Sequence, residues 1–150
     1  MTGNSAMRTC VFRYLTFVMC ANLGWETAQM PFYALWNVGA PTEIAANVVA
    51  CAAIDTMIAL GALTMAIILF RATAWPAIGY ARIGLAAGVI GIAYTIVSER
   101  VNVDVLHTWA YSEQMPIVPL VGVGVTPIIQ WVVIPLAAFF WARLPRRMAV

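Results

Sequence analysis

Apolar residues fill four long runs in this chain, and polar residues collect in the short gaps between them and at regular intervals within them. The runs cover residues 11–35, 44–70, 78–98 and 117–141. Each is long enough for a helix to span a bilayer, which takes about 20 residues. Backbone polar groups in lipid must be satisfied internally, and four runs are too few for a closed barrel, so the pattern predicts helices. The expected fold is all-α: one integral-membrane four-helix bundle over residues 1–150, with an outer loop at 99–116. Pro41, Pro76 and Pro116 stand at expected helix entries, where a missing N–H costs little. Pro127 and Pro135 fall inside the fourth run and predict a kink there.

Polar residues within the runs are spaced for single faces. Asn22, Glu26, Gln29 and Tyr33 follow at steps of four, three and four, and Asn47, Cys51 and Asp55 at steps of four. The third run carries Gly84, Gly88, Gly91, Thr95, Ser98 and Asn102, a small-residue stripe that lets another helix approach closely. The fourth offers Gly122, Thr126 and Gln130. Counting inward from the helix ends puts Glu26 and Asp55 at matching depths, more than about 10 Å inside, with Glu99 and Asn102 over the same region.

Composition agrees with the pattern. The chain is 63% hydrophobic and 9% charged, far below the roughly one-quarter charged share of soluble domains. All eight basic residues are arginine. Arg8, Arg13, Arg71, Arg82, Arg143, Arg146 and Arg147 fall on one side of the expected topology and only Arg100 on the other. The positive-inside rule then places both termini in the cytoplasm of a bacterial inner (cytoplasmic) membrane protein. Trp36, Trp75, Trp109 and Trp141 lie near the expected boundaries, where an aromatic belt forms. The basic, apolar start has the look of a signal peptide without a small-residue cleavage site, and is expected to be a retained helix. Net charge is +2 without a basic patch, so no nucleic-acid partner is expected. Cys10, Cys20 and Cys51 form no C-x-x-C pair and are expected to be small core residues.

An acid facing lipid costs about 2.5–3.5 kcal/mol. Glu26, Asp55 and Glu99 are therefore expected to face the interior as the catalytic candidates. Asn22, Gln29, Asn102, Trp109, Tyr111 and Gln130 are expected ligand-binding residues. The bland alternatives are that the acids are interhelical glue and that Trp109 and Tyr111 are interface anchors. His107 has no second histidine at helical spacing, and a metal site or other cofactor is not expected.

Two segments carry a resemblance. Trp25-Glu26-Thr27-Ala28-Gln29-Met30-Pro31-Phe32-Tyr33 is one. The other is Ser98-Glu99-Arg100-Val101-Asn102 with Trp109-Ala110-Tyr111-Ser112 and Met115-Pro116. With Gly122-Val123-Gly124, Pro127 and Gln130-Trp131, they resemble a group of small four-helix bacterial inner-membrane proteins. That group shows a Gly-Asp pair where this chain has Ile54-Asp55. No activity is attached to the group, so the resemblance implies an architecture and no chemistry.

Three functions remain open from sequence. One is an intramembrane enzyme or binding protein for a lipid- or isoprenoid-like molecule, with Glu26 and Asp55 as acid and base. Another is a proton- or cation-linked transport component, and the last a non-catalytic scaffold. Expected partners are membrane lipids, a lipid-like substrate and a second copy of the chain docked on the glycine stripe.

Overall fold

The computed structural model describes residues 3–143, with side chains from Ser5 onward. The chain is mostly helical. Its elements are α1 (Gly3–Gln29), the short α2 (Leu35–Val38), α3 (Pro41–Leu69), α4 (Tyr80–Arg100) and α5 (Val125–Ala142). A hairpin of β1 (Ile117–Val118) and β2 (Val123–Gly124) precedes α5. α1 packs against α3 and α5, and α4 packs against the same two helices. Arg146 and Arg147 lie outside the described residues.

Among the described residues three helical segments are long and apolar enough to cross a membrane: Pro41–Leu69, Tyr80–Val105 and Val125–Ala142. They mark the chain as a membrane protein. α1 has the length but not the apolarity, because Arg13, Asn22, Glu26 and Gln29 lie along it. Three of those four, Asn22, Glu26 and Gln29, are buried inside the molecule. The polarity that lowers the hydropathy of α1 therefore faces its neighbours.

Helix ends differ from the apolar runs where local chemistry intervenes. Pro31 follows α1, which gives way to a 3₁₀ turn at Met30–Phe32, so the first run is divided between α1 and α2. Pro41 stands in the first turn of α3, where the Ala40 N–H donates to Glu43 Oε2 at 2.9 Å. α4 runs on into a wide π-helical turn at Val101–Val105, closed by Leu106 N–H donating to the Val101 carbonyl at 2.8 Å. The fourth run is helical only from Val125. Its first part forms the hairpin, whose turn reverses at Gly122 with φ of 65°, a conformation side chains resist. Pro127 thus falls in the first turn of α5, where it removes no helical hydrogen bond, and Pro135 alone lies in the interior.

At the end where α1 begins and α5 finishes, apolar and aromatic side chains fill the interior. Tyr14, Phe139, Tyr80 and Trp75 stack there, with ring centroids 4.6 to 6.0 Å apart in sequence of contact. The Tyr80 hydroxyl donates to the Phe139 carbonyl at 2.6 Å. Trp75 is only 2% exposed, so it is a core residue and not part of an aromatic belt. Trp36 and Trp141 are exposed as a belt requires. Arg13 ties α1 to the end of α5 by donating to the Trp141 carbonyl at 2.7 Å. Cys10 is buried in this core, whereas Cys20 faces outward.

The glycine stripe of α4 is partly used within the molecule. Gly84 lies under the ring of Phe139 and Gly91 under that of Trp131, while a Cβ at Gly88 would meet nothing within 4 Å. Two of the three glycines, open from sequence to packing within the bundle or against another copy, therefore serve the α4–α5 contact.

Candidate functional site

Helical spacing puts Asn22, Glu26 and Gln29 of α1 on one face, and α5 brings Gln130 across to meet them. The Gln130 amide nitrogen donates to Glu26 Oε1 at 2.8 Å, Asp55 Oδ2 at 2.8 Å and Asn22 Oδ1 at 3.1 Å. An NH₂ group has two hydrogens, so three acceptors compete for two donors. Gln29 adds a donor to the same Glu26 oxygen at 2.9 Å and one to Gln130 Oε1 at 3.3 Å. Its own oxygen accepts from Trp25 Nε1 at 3.1 Å. One amide on α5 thus joins an acid on α1 to an acid on α3. Asn22, Glu26, Gln29 and Gln130 are each at most 6% exposed.

Glu99 is held separately. Burial on α4 leaves it 8% exposed. Its Oε2 accepts from the Tyr111 hydroxyl at 2.5 Å and from Trp109 Nε1 at 3.4 Å. The Tyr111 hydroxyl also accepts from the Gly124 N–H at 3.1 Å, which fixes it between α4 and the hairpin. Burial, and next the Glu99 carboxyl it bonds, push the Tyr111 hydroxyl above its ordinary range. It therefore stays a neutral donor throughout the physiological range. The loop bearing Trp109 and Tyr111 is pinned to the end of α1 by backbone bonds. Ala34 N–H donates to the Ala110 carbonyl, and Ser112 N–H to the Phe32 carbonyl, both at 2.9 Å.

These groups border a partly open cavity of about 320 Å³. Glu26, Asp55, Glu99, Gln29, Gln130 and Trp109 all line it. The other expected site residues lie elsewhere. Asn22 stands behind Glu26 and reaches the site only through Gln130. Tyr111 acts on Glu99 from outside the cavity wall. Asn102 turns back along its own helix, donating to the Ser98 carbonyl at 2.8 Å, and does not reach the cavity. The π-helical turn starting at Val101 carries it out of the register that the stripe Thr95–Ser98–Asn102 assumed. His107 is exposed, off the cavity, with Nδ1 on the Val103 carbonyl.

Sequence reasoning left out several wall residues. Tyr33, Asn47, Cys51, Thr95 and Ser98 were each visible as members of a polar face, and all line the cavity. Tyr94 and Trp131 gave no signal, because an aromatic in an apolar run reads as ordinary core. Among the described residues no three His, Cys, Asp or Glu side chains are placed to hold a metal ion.

Substituting Tyr111 by Phe tests the support of Glu99. It removes the short hydrogen bond and leaves the Gly124 N–H without its acceptor. The expected loss is about 1–3 kcal/mol in detergent unfolding, the cost of stranding a buried polar partner. A change under about 0.5 kcal/mol would show that Tyr111 does not support the acid.

No protein-family model matches this chain, and neither the curated proteins nor the solved structures include a match.

Proposed function

We propose that this chain is a four-helix inner-membrane protein with both termini in the cytoplasm, whose outer-half cavity takes a lipid- or isoprenoid-like molecule. Four crossings are supported by the inward polar face of α1, which lets that helix sit in lipid despite its low hydropathy. The orientation is supported by Arg8, Arg13, Arg71, Arg82 and Arg143, all toward the end bearing the termini, against Arg100 alone among the described arginines at the other end. The resemblance to small four-helix bacterial membrane proteins belongs to the same reading.

One observation carries the functional part: Glu26 and Asp55 converge on the Gln130 amide in the wall of a cavity that also has apolar lining. Two carboxyl groups facing one bound molecule can serve as a general acid and a general base. That is the arrangement for moving a proton on and off a bound apolar molecule. Interhelical glue would fill such a space, since polar contacts in membranes contribute only about 0.6 kcal/mol on average. The packed aromatic core between the cavity and the terminal end speaks against a path through the molecule, and so against a transport component.

The test is retention. Protein purified in a neutral detergent is extracted, and bound small molecules are identified by mass spectrometry. The wild type is expected to retain a lipid-like species that Ser98→Trp, which fills the cavity, loses at least tenfold. Glu26→Gln is expected to keep the species and stop its conversion. A wild type that retains no more than Ser98→Trp would overturn the reading.

A further inference from the structure

The cavity wall is rich in acceptors and carries no counter-charge. Glu26, Asp55 and Glu99 line it, and among the described residues no arginine or histidine does. The hydrogen bonds that hold these acids use one oxygen of each: Glu26 Oε1, Asp55 Oδ2 and Glu99 Oε2. Glu26 and Asp55 also meet carboxyl to carboxyl, whereas Glu99 Oε1 receives no amide or hydroxyl hydrogen although its side chain is more than nine-tenths buried at the wall. Arg100, the basic side chain nearest in sequence, is turned away onto Asp104 at 2.8 Å in an exposed pair. Buried acids without a cation are costly, and the described wall offers these three acids hydrogen-bond donors but no cation.

The exposed residues of the wall supply the other half of the argument: Val38, Thr108 and Ala110 beside the outer loop, and two on the helices. Ile54 on α3 and Tyr94 on α4 both line the cavity, and both are half exposed on faces that the membrane reading turns to lipid. A ligand reaching the acids past these residues keeps an apolar part among the acyl chains. Aromatic rings at the wall, Trp109 and Tyr33, offer faces that attract a cation.

We propose that the ligand is an amphiphile with a protonated amine head, seated among Glu26, Asp55 and Glu99, and with its hydrocarbon chain passing between Ile54 and Tyr94. This rests on the cavity being a ligand site. Any cationic amine shares the head chemistry, whether membrane-dissolved or free in water, and the chain length of the probe separates the two.

Three probes suffice: dodecylamine, dodecanol and butylamine, titrated against the whole protein in a neutral detergent and read by native mass spectrometry. Dodecylamine is expected to bind at least tenfold more tightly than dodecanol, and butylamine to bind at least tenfold more weakly than dodecylamine. In the double variant Glu26→Gln, Glu99→Gln the preference for amine over alcohol is expected to vanish while dodecanol still binds. Retained alcohol binding shows that this variant keeps its fold.

Equal binding of amine and alcohol, both blocked by Ser98→Trp, would overturn the amine head and leave the cavity reading standing. Butylamine binding as tightly as dodecylamine would overturn the membrane-dissolved chain. Failure of both dodecyl probes would remove this inference and the cavity reading together.

Discussion

Replacing Gln130 by Leu is expected to cost at least about 3 kcal/mol of stability, because buried acceptors stranded without a donor cost roughly 1–3 kcal/mol each. Leu keeps much of the volume of Gln and removes the only contacts shown between the side chains of Glu26 and Asp55 and an α5 amide. Asn22 loses its amide donor as well. Counting only the lost hydrogen bonds at the average of about 0.6 kcal/mol found in membranes would give a smaller sum. Stranding decides the magnitude, since Gln29 can serve Glu26 but reaches neither Asp55 nor Asn22. In a chain of this length the loss should lower the melting temperature in detergent by about 6 °C or more. A double-mutant cycle isolates the cause: in an Asp55→Leu background the further change at Gln130 should cost less. A Gln130→Leu protein that melts within about 1 °C of the wild type would show that the amide is no junction.

The second large effect is expected at Gly91. A Cβ there would overlap the six-membered part of the Trp131 indole, which is itself only 5% exposed. Gly91→Ala should therefore cost about 1–3 kcal/mol, the range for overpacking a filled interior, and Gly91→Leu more. Gly88→Ala is the control on the same stripe. Nothing lies within 4 Å of its added methyl, so it should change stability by less than about 1 kcal/mol in either direction. Thermal unfolding of the three variants reads the difference. Equal effects at Gly88 and Gly91 would mean that the α4–α5 contact does not depend on close approach. Trp131 also lines the cavity, so Gly91→Ala should weaken ligand retention where Gly88→Ala does not.

How much of this was legible beforehand varies with the residue. The faces of α1 and α3 were readable, because a helix repeats every 3.6 residues and polar positions at steps of three and four must align. Burial in an apolar solvent then decided that they point inward, as Asn22, Glu26 and Gln29 do. Gln130 was readable only as one polar position on α5, and nothing in the chain marks it as the residue that gathers the others. Asn102 misled, since the widened turn at Val101–Val105 shifts the register by more than the α-helical repeat allows. Likewise the fourth apolar run gave no sign of a hairpin beyond Pro119, Gly122 and Gly124, which the overall hydropathy outweighed.

The sequence by itself determined that this is a helical membrane protein whose scarce acids are displayed on inward faces, because lipid tolerates neither unpaired backbone nor outward charge. Only the tertiary structure decided which polar groups meet. Pairing Gln130 with Glu26 and Asp55 joins positions far apart in the chain, and it depends on how α5 rotates against α1 and α3. That rotation is set by packing, with Phe139 seated on Gly84 and Trp131 on Gly91, and side-chain packing across helices leaves no periodic trace in one strand of sequence.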